Sequence, residues 1–382
     1  MDNLNLHITP SAFEYPSRIL KETYSLSKLG LFSHICVVAW GNHILPEEEM
    51  LDDCRRVWRV KLFFAKCGIP GIGRILQQIE WTLRIIWRFR QADIDAVNCH
   101  SVACLPIGLL LKFMFSAKLI YDAHELETET VAKHGLKKTV AKLIEMISIG
   151  FVDATIVVNQ SIADWYKSRY KLKQIYVVRN IPVRTNQFLS ETFHLRIAFG
   201  ISESDIVFLY QGLISEGRGI KILLETFVSL WTRGMRHQHI VFMGHGAWAS
   251  IVKEYAGRFA NIHYHESVAP NIVLEYTRSA DVGICLIENV CLSYYLSLPN
   301  KLYEYILSGL PVIGSRFPEI AKVVIDADNG WLVQPTIDSL VQLIQKISKK
   351  EIHKKQKASL IYRERIGWQE EEKNLWEAFQ SI

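Results

Sequence analysis

Short β-branched runs alternate with helical stretches along the whole 382-residue chain. A parallel strand needs a crossover connection before its neighbour can pair with it, so this alternation is typical of parallel sheets covered by helices. In the first half, the predicted strands are Leu4–Ile8, Ile35–Ala39, Ala96–Cys99, Lys118–Tyr121, Ala154–Val158 and Ile175–Val178. In the second half, they are Ile206–Tyr210, Ile240–Met243, Ile262–Tyr264, Val282–Cys285, Pro311–Ile313 and Gly330–Val333. The sequence therefore predicts an α/β fold.

A polar segment between residues 180 and 204, NIPVRTNQFLSETFHLRIAFGISES, interrupts this rhythm. Because 382 residues are also more than one hydrophobic core usually organises, we place a domain boundary here. The prediction is two Rossmann-like α/β/α domains, 1–180 and 181–360, followed by a C-terminal segment, 361–382. Ligands of such sheets bind at the carboxyl ends of the strands, so polar residues there are the candidates for a functional site.

The composition indicates a folded protein that does not cross a membrane. Hydrophobic residues make up 49% and charged residues 22% of the chain. The longest apolar run, Leu105–Phe115, is shorter than the roughly 20 residues that span a bilayer, and MDNLNLHITP does not resemble a secretory signal. Seven scattered cysteines without a CxxC pair indicate reduced thiols and no zinc site. We expect a cytoplasmic protein, with a peripheral position at the inner face of the cell membrane as a further hypothesis.

A basic window extends from Arg55 to Arg90, where nine basic residues accompany one acid, Glu80. The large aromatics in this window are Trp58, Phe63, Phe64, Trp81, Trp87 and Phe89. Basic residues mixed with large aromatics fit a surface that contacts anionic lipid headgroups. The alternative is an amphipathic helix over Ile69–Gln91 whose aromatics face a core while its arginines face water. Both interpretations stay open here, whereas nucleic acid is disfavoured because no binding motif accompanies the charge.

Two glycine-rich turns follow predicted strands of the second half. The stretch YQGLISEGRGIKILLE, residues 210–225, places Gly212 and Gly217 beside Arg218, with Lys221 in the helix that follows. Glycines let a ligand approach the backbone, a helix N-terminus offers N–H groups, and a guanidinium fits a phosphate. The second turn, MGHGAW, contains Gly244, and we expect it either to approach a bound nucleotide or simply to reverse the chain.

The stretch SLPNKLYEY, residues 297–305, predicts an anion site at the start of a helix. We expect Asn300 to cap a helix that begins at Lys301, after Pro299, which leaves N–H groups in the first turn for a ligand. The helix dipole and Lys301 favour an anion there. Glu304 would repel a phosphate but can accept hydrogen bonds from a vicinal diol such as a ribose. A nucleoside diphosphate satisfies both demands, and the alternative is an ordinary capped surface helix.

Taken together, these motifs resemble those of the retaining GT-B glycosyltransferases of family 4. The matching segments are EYPSRILKETYSLSKLG (14–30), YDAHEL (121–126), VVRNIP (177–182), QGLISEGRG (211–219), SADVGI (279–284), PNKLYEY (299–305) and SGLPVIGSRFPEI (308–320). The resemblance implies two Rossmann-like domains facing each other across a cleft, with the C-terminal helix of 361–382 crossing back to the N-terminal domain. It also implies an N-terminal acceptor domain, a C-terminal nucleotide-sugar donor domain, no cofactor and no metal ion.

The resemblance also assigns roles to individual residues. It implies that Arg218 holds the diphosphate, that Glu304 is the second acid of the family's E-x7-E element and binds the ribose, and that Arg18 lies near the donor. The first acid of that element would fall at Leu296 and the first arginine of the phosphate turn at Leu213, and this chain has neither. We expect the missing charge to come from Arg218, Lys301, Arg18 or Lys221. Backbone amides of 297–300 would take over part of the lost contact to the transferred sugar.

Three polar residues at strand ends of the first half are candidates for contacts to the sugar or the acceptor. His100 follows the strand DAVNCH, and His124 and Glu125 follow LIYDA. Strand-end histidines are also common structural residues, so a direct role and a supporting role both stay open. Two DxD strings, at 93–95 and 326–328, fit turn chemistry better than a metal site.

The function that this resemblance implies is a retaining, metal-independent hexosyltransferase. It would move a sugar from a nucleotide-sugar donor to a saccharide or polyprenyl-linked acceptor, in the biosynthesis of a cell-surface polysaccharide or glycolipid. One alternative is a nucleotide-sugar epimerase of the same architecture. Another is a non-catalytic sugar-nucleotide-binding protein, which the losses at positions 213 and 296 make conceivable.

Overall fold

A computed structural model of the chain describes residues 3–14, 16–41, 44–63, 72–184 and 194–382. The chain divides into two compact units. The first unit comprises Met1–Arg179 together with Glu371–Ile382, and the second comprises Asn180–Glu370. The sequence analysis places the start of the separate C-terminal segment at residue 361. The structure assigns residues 361–370 to the second unit.

The first unit is built on an eight-stranded sheet with the order β3-β4-β2-β1-β5-β6-β7-β8. Its strands are β1 Leu4–Ile8, β2 His34–Trp40, β3 Glu48–Met50, β4 Arg55–Val60, β5 Ile94–Cys99, β6 Lys118–Ala123, β7 Ala154–Val157 and β8 Ile175–Val177. The pairing is parallel throughout, except that the edge strand β3 runs antiparallel to β4. The carboxyl ends of the parallel strands therefore share one edge of this sheet.

Helices connect these strands. They are α1 Ser17–Lys28, α2 Ile72–Phe89, α3 Leu105–Phe115, α4 Gly135–Ser148 and α5 Gln160–Tyr170. The connection from β1 to β2 moves toward the β3 edge of the sheet. The connections from β4 to β5 and onwards move toward the β8 edge. Since such connections are right-handed, α2, α3 and α4 lie together on the face opposite α1.

The second unit contains a six-stranded, fully parallel sheet with the order β11-β10-β9-β12-β13-β14. Its strands are β9 Ile206–Gln211, β10 Gln238–Met243, β11 Ile262–His265, β12 Val282–Cys285, β13 Val312–Ser315 and β14 Gly330–Val333. Its helices are α6 His194–Phe199, α7 Ile220–Thr232, α8 Ala249–Arg258, α9 Val273–Arg278, α10 Leu292–Tyr295, α11 Asn300–Leu307, α12 Pro318–Asp326, α13 Ile337–Lys346 and α14 Lys349–Tyr362. Two buried apolar clusters, one on each side of this sheet's strands, form its core.

The predicted α/β fold with two parallel-sheet domains is confirmed. Each of the twelve predicted strands overlaps an observed strand, and three of them have the predicted bounds. The sequence analysis missed β3 and β4, since the basic residues of β4 were read as surface charge. Two of them, Arg55 and Arg59, are instead buried, and the Arg59 guanidinium donates to the carbonyls of Ala12, Phe13 and Pro46.

The aromatics of the basic window divide between the core and the surface. Trp58, Trp81 and Phe89 are buried, whereas Phe63 and Trp87 are 81% and 67% exposed. Contact of this window with anionic lipid stays a prediction. Residues 64–71, which include Phe64 and the start of the helix predicted over 69–91, lie outside the described part of the chain.

The last helix, α15 Trp368–Gln380, begins in the second unit and continues into the first. Within the first unit, the Glu371 carboxylate accepts hydrogen bonds from the backbone N–H and the guanidinium of Arg179 at 2.8 Å. The Phe379 ring packs edge-on against Phe32 with centroids 6.0 Å apart. These contacts hold the C-terminal residues on the first unit.

Two further expectations are that the cysteines are reduced and that the chain does not cross a membrane. The cysteines at 36, 54, 99, 104, 285 and 291 are free thiols, and Cys67 lies outside the described residues. In the ranges that the structure describes, no helix combines the length and the apolar character needed to cross a bilayer.

Two tryptophans on α2 provide a matched test of which aromatics belong to the core. Trp81 is fully buried and packs edge-on against Trp40 at 5.7 Å. We expect Trp81→Ala to lower the free energy of unfolding by about 3–5 kcal/mol, because it removes buried contacts and leaves a cavity. The control, Trp87→Ala, should change it by less than about 1 kcal/mol, since that ring is exposed. Urea denaturation of both variants measures the difference, and equal losses would contradict this packing.

Candidate functional site

Two turns of the second unit meet at the carboxyl end of β9. Gln211 ends that strand, and its side-chain amide donates to the Glu304 carboxylate at 2.5 Å. A β-carbon placed on Gly212, which has a φ of 108°, would lie 3.9 Å from the ammonium nitrogen of Lys301. The turn after β9 and the first turns of α11 therefore form one polar site, which we call the β9–α11 site.

The start of α11 differs in one respect from the predicted cap. Pro299, and not Asn300, is the N-cap residue, and Asn300 is the first helical residue. No side chain caps this end, because proline has no hydrogen-bonding group to offer. The prediction that Asn300 caps the helix is wrong, and the first-turn N–H groups have no side-chain acceptor at the N-cap position.

The Lys301 ammonium is the central charge of the β9–α11 site. The residue is 7% exposed, its Nζ lies 3.6 Å from the centroid of the Tyr210 ring, and no acceptor among the described residues hydrogen-bonds to it. Burial lowers the pKa of Lys301 to about 7, although Cys285 and Glu304 act in the opposite direction. A buried ammonium without an acceptor is destabilising until an anion arrives.

Arg218 supplies a second cation close to the first. Its guanidinium lies 4.9 Å from the centroid of the Tyr294 ring, and its buried Nε has no acceptor among the described residues. Arg218 is near enough to Lys301 to contribute to the lowered pKa of that lysine. Two cations that repel each other in a half-buried site are stabilised by a ligand with at least two negative charges.

Lys221 lies outside this pair. Its side chain is exposed, and its ammonium lies 4.6 Å from the centroid of the Trp248 ring. Of the cations in the second unit that were candidates for the missing charge, Arg218 and Lys301 are therefore the two that converge.

The glycines of both turns explain why the backbone can pack here. A β-carbon on Gly244, which has a φ of 158°, would lie 1.9 Å from the carbonyl oxygen of Gly212. A β-carbon on Gly217 would lie 2.7 Å from the Tyr294 ring. Of the two predicted roles of Gly244, the structure provides a direct reason for the structural one, because the turn at 243–246 packs on the backbone of the turn at 211–214.

Helix α7 does not offer the open N-terminus that the sequence predicted. The N–H of its N-cap residue, Gly219, donates to the Glu288 carboxylate at 3.0 Å. The chain thus supplies its own anion at this helix end, and the α11 end, which has no such carboxylate, is the better anion site.

A second polar cluster lies in the first unit, around Asp122 at the end of β6. Its carboxylate accepts from His100 Nδ1 and His124 Nε2, both at 2.9 Å, and from the Arg18 guanidinium at 2.7 and 3.1 Å. Burial alone would raise the pKa of Asp122, but Arg18 and the histidines hold it well below its ordinary value. We call this the Asp122 cluster.

The histidines of this cluster form a chain of neutral rings. His7 Nδ1 lies 2.8 Å from His100 Nε2, and the Asn5 amide lies 3.2 Å from His7 Nε2. If His100 donates from Nδ1 to Asp122, its Nε2 accepts from His7, and the tautomers are consistent throughout. Burial lowers the pKa of His100 to about 4 and that of His7 well below its ordinary value.

This arrangement separates the roles of the strand-end candidates. The His100 side chain is fully buried and both of its nitrogens have partners, which favours the supporting role over a direct contact with a ligand. The His124 side chain is 33% exposed and has its Nε2 directed at Asp122, so Nδ1 is the ring nitrogen that is not directed at this carboxylate. Glu125, the next residue, is exposed.

The sequence analysis expects Arg18 to be one of the cations near the donor, but its side chain has other partners in the structure. Besides Asp122, its guanidinium contacts the Glu22 carboxylate at 2.8 Å and the Val178 carbonyl at 2.8 Å. Its charge is therefore neutralised within the first unit, and it is not available to replace the missing arginine at position 213.

Two groups of side chains in the first unit bring potential metal ligands within 4.8 Å of one another. They are His100 with Asp122 and His124, and His7 with Glu22 and His100. The Arg18 guanidinium already contacts both carboxylates and opposes a further cation. In the second DxD string, Asp326 accepts from Tyr362 and Asp328 pairs with Lys355, so each carboxylate has its own structural partner.

Sequence reasoning missed the residues that position the side chains of the site, although two of them, Gln211 and Tyr305, lie in stretches it had singled out. Gln211 joins Glu304 to Thr277, whose hydroxyl donates to it at 2.7 Å. The Tyr305 hydroxyl accepts from the Gln211 N–H at 3.0 Å, and its ring lies where a β-carbon on Gly283 would be. Asp122 was visible in YDAHEL, but its importance depends on Arg18 and His100, two partners that are distant in sequence. Leu213 and Leu296 lie where the family's arginine and acid are expected, and Leu213 is 44% exposed.

Comparisons with known proteins cover both units. Residues 24–181 match the family described as Glycosyltransferase Family 4, and residues 205–350 match the one described as Glycosyl transferases group 1. A curated relative is the chitobiosyldiphosphodolichol beta-mannosyltransferase of Debaryomyces hansenii. It is 23% identical in an alignment 373 residues long that covers 86% of this chain and 76% of the relative.

Solved structures show the same fold. Sucrose-phosphate synthase from Thermosynechococcus elongatus has a TM-score of 0.79 at 14% identity, over 100% of this chain and 98% of the other. Anabaena HepE in complex with UDP-glucose has a TM-score of 0.72 at 13% identity, over 99% and 100% of the two chains. At these identities the likeness concerns the architecture, in which each unit has its own parallel sheet.

Proposed function

Since this chain belongs to glycosyltransferase family 4 and has the GT-B fold, we propose that it transfers a sugar from a nucleotide-sugar donor to a lipid-linked saccharide. The observation that carries the proposal is the buried Lys301 ammonium, which has no hydrogen-bond acceptor among the residues that the structure describes and lies beside Arg218 and Glu304. The second unit binds the donor, and the first unit binds the acceptor.

The two cations of the β9–α11 site bind the diphosphate. A nucleotide sugar carries two negative charges on its diphosphate, which matches Lys301 and Arg218. The first-turn N–H groups of α11 add donors where the helix dipole favours an anion. Neutralising the departing nucleoside diphosphate in this way lowers the barrier to cleavage of the sugar–phosphate bond.

Glu304 binds the ribose hydroxyls of the same nucleotide. Gln211 donates to one of its oxygens, so the carboxylate is held in one orientation and can accept hydrogen bonds from a vicinal diol. Thr277 and Tyr305 in turn hold Gln211 in place. The backbone amides of 297–300 replace part of the contact that an acid at position 296 would make to the transferred sugar.

In the first unit, His124 accepts a hydrogen bond from a hydroxyl of the sugar or of the acceptor. Its Nε2 is directed at Asp122, which leaves Nδ1 for that hydroxyl; His100 and Arg18 hold Asp122, and His7 holds His100. This is the way in which a carboxylate orients a histidine base. Glu125, which is exposed beside His124, is a second contact to acceptor hydroxyls.

The remaining parts of the proposal are retention, metal independence and the place of the reaction. Retention follows from the resemblance to family 4, with the donor's own phosphate accepting the proton of the attacking hydroxyl. Lys301 and Arg218 support transfer without a metal ion, because they supply the charge that a metal would otherwise provide. A lipid-linked acceptor, as in the name of the Debaryomyces relative, supports peripheral binding at the inner face of the cell membrane through the basic window.

Product analysis tests the reaction. The protein is incubated with UDP- and GDP-sugars and a polyprenyl-diphosphate saccharide, with and without EDTA, and the product is examined by mass spectrometry and NMR. We expect one added hexose with the anomeric configuration of the donor and no effect of EDTA. An inverted product, which the word beta in the relative's name makes a pertinent outcome, would refute retention. An epimerised donor formed without acceptor would support the epimerase.

Glu304→Ala tests the ribose contact. We expect the affinity for UDP or GDP to fall roughly 10–100-fold, because hydrogen bonds to a charged acceptor are lost, while the affinity for inorganic pyrophosphate stays unchanged. Glu254→Ala is the control, since Glu254 is an exposed carboxylate of the same unit that pairs only with Arg258 among the described residues. Calorimetric titration measures all of these affinities. Equal losses for pyrophosphate and for the nucleotide would contradict a ribose role.

The pKa of Lys301 predicts how donor binding depends on pH. An anion binds the ammonium form and raises its pKa, so affinity is highest below pH 7 and falls as the pH rises through the free-protein value of about 7. We expect the dissociation constant of a nucleotide sugar to rise up to about tenfold per pH unit above that value. The donor is a diphosphate diester without a titrating group in this range.

Lys301→Arg is the matched variant for this measurement, because a guanidinium keeps its charge throughout the range. Its dissociation constant should not change between pH 7.5 and 9 by more than about twofold. Lys301→Met should bind weakly at every pH. A wild-type affinity that is constant over this range would place the diphosphate away from Lys301.

A further inference from the structure

Helix α4 is amphipathic, but its polar face is buried and its apolar face is exposed. Its buried residues are Ala141, Glu145 and Ser148, so the face directed into the first unit is the polar one. Its exposed face contains large apolar side chains at helical spacing, namely Leu136, Val140, Leu143, Met146 and Ile147, which are 78%, 46%, 49%, 55% and 55% exposed. Surface helices normally direct such a stripe at the core.

The buried face of α4 cannot exchange with the exposed one. The Glu145 carboxylate is fully buried and accepts hydrogen bonds from Tyr166 at 2.6 Å, Tyr170 at 2.8 Å and Tyr121 at 3.2 Å. Rotating the helix to bury the apolar stripe would break these bonds and leave buried hydroxyls unpaired. The stripe is therefore held outward by the interior of the first unit.

The neighbouring helix extends this apolar stripe. On α3, Leu110, Phe113 and Met114 are 40%, 65% and 50% exposed. The Phe113 ring packs edge-on against Phe151, which follows α4 and is itself 48% exposed, with centroids 5.6 Å apart. We refer to the exposed apolar residues of α3, α4 and Phe151 as the α3–α4 surface. Contiguous exposed apolar surface of this kind marks a site of contact with a protein or a membrane.

The charges around the α3–α4 surface distinguish between these occupants. Residues 127–151 contain four lysines, at 133, 137, 138 and 142, and three acids, Glu127, Glu129 and the buried Glu145. Lys133 pairs with Glu127, and Lys138 and Lys142 pair with Glu129, but in each pair the lysine is the more exposed partner. Lysine is depleted in protein–protein interfaces, whereas lysines beside an apolar helix face are typical of contact with anionic lipids. The aliphatic stripe can enter the acyl boundary while the lysine stems reach back to the headgroups.

We propose that the α3–α4 surface inserts into the headgroup–acyl boundary of a bilayer that contains anionic lipid. Helix α4 then lies in the plane of the membrane, since 14 residues extend only about 21 Å and it is not a spanning helix. The surface differs from the basic window at 55–90, because its apolar residues come from α3 and α4. The proposal depends on this surface alone and stands whether or not the transferase assignment is correct.

The test is co-sedimentation of the full chain with phosphatidylcholine vesicles, with and without phosphatidylglycerol, at low and high salt. The α4 variant is Leu136→Gln/Leu143→Gln/Ile147→Gln. The matched control is Ile197→Gln/Ile325→Gln/Ile361→Gln, which changes three side chains of the second unit that are 79%, 69% and 64% exposed. A third protein, Leu83→Gln/Trp87→Gln, reports the contribution of the basic window.

We expect the wild-type protein to bind anionic vesicles, with binding weakened by salt. The α4 variant should bind at least roughly tenfold more weakly, since three aliphatic side chains no longer enter the acyl boundary. The control should bind as the wild type does. The melting temperature of the α4 variant should stay within a few degrees of the wild-type value, because the altered residues are exposed.

Three outcomes would overturn the proposal: vesicle binding unchanged in the α4 variant, equal weakening in the control, or no binding by the wild type. A concentration-dependent dimer that the α4 variant loses would show that a second copy covers the surface instead. Transfer to a water-soluble, short-chain acceptor should be the same in the wild type and the α4 variant. Absent transfer together with intact vesicle binding would refute the proposed function and leave this proposal in place.

Discussion

Parallel strand pairing determines where the polar side chains of this protein can meet. In each sheet, the hydrogen-bonded register brings the carboxyl ends of neighbouring strands to a common edge. His100 and Asp122 follow or end adjacent strands β5 and β6, and Gln211 ends β9 beside the turn after β10. The Asp122 cluster and the β9–α11 site both form at such edges, because the strand backbone is already satisfied by pairing and the turns beyond it can present side chains.

The two units differ in whether their buried cations have hydrogen-bond acceptors. In the first unit, the Arg18 guanidinium donates to Asp122 and to a backbone carbonyl and forms an ion pair with Glu22, so its charge is compensated and serves to orient histidines. In the second unit, the Lys301 ammonium has a tyrosine ring beside it and no hydrogen-bond acceptor among the described residues. A buried charge with partners stabilises the fold, whereas a buried charge without them is destabilising until an anionic ligand binds to it.

The same contrast between satisfied and unsatisfied groups applies to the surface. Arg55 and Arg59 look like surface charge in the sequence but donate to backbone carbonyls inside the first unit. On α4, the buried Glu145 holds an aliphatic stripe in the outward position by binding three tyrosine hydroxyls. Side-chain type alone therefore predicts neither position, because hydrogen-bond partners supplied by distant segments decide which face of an element is buried.

Local pattern and residue chemistry alone predict the alternation of strands and helices, which the structure confirms. The same reasoning predicts the division near residue 180 and an anion-binding stretch at PNKLYEY. The tertiary structure alone decided which cations remain available. Arg18 meets Asp122 across 104 positions and Gln211 meets Glu304 across 93. No local pattern encodes such partners. Whether a charge is neutralised or left for a ligand depends on burial and on contacts that exist only after the chain has folded.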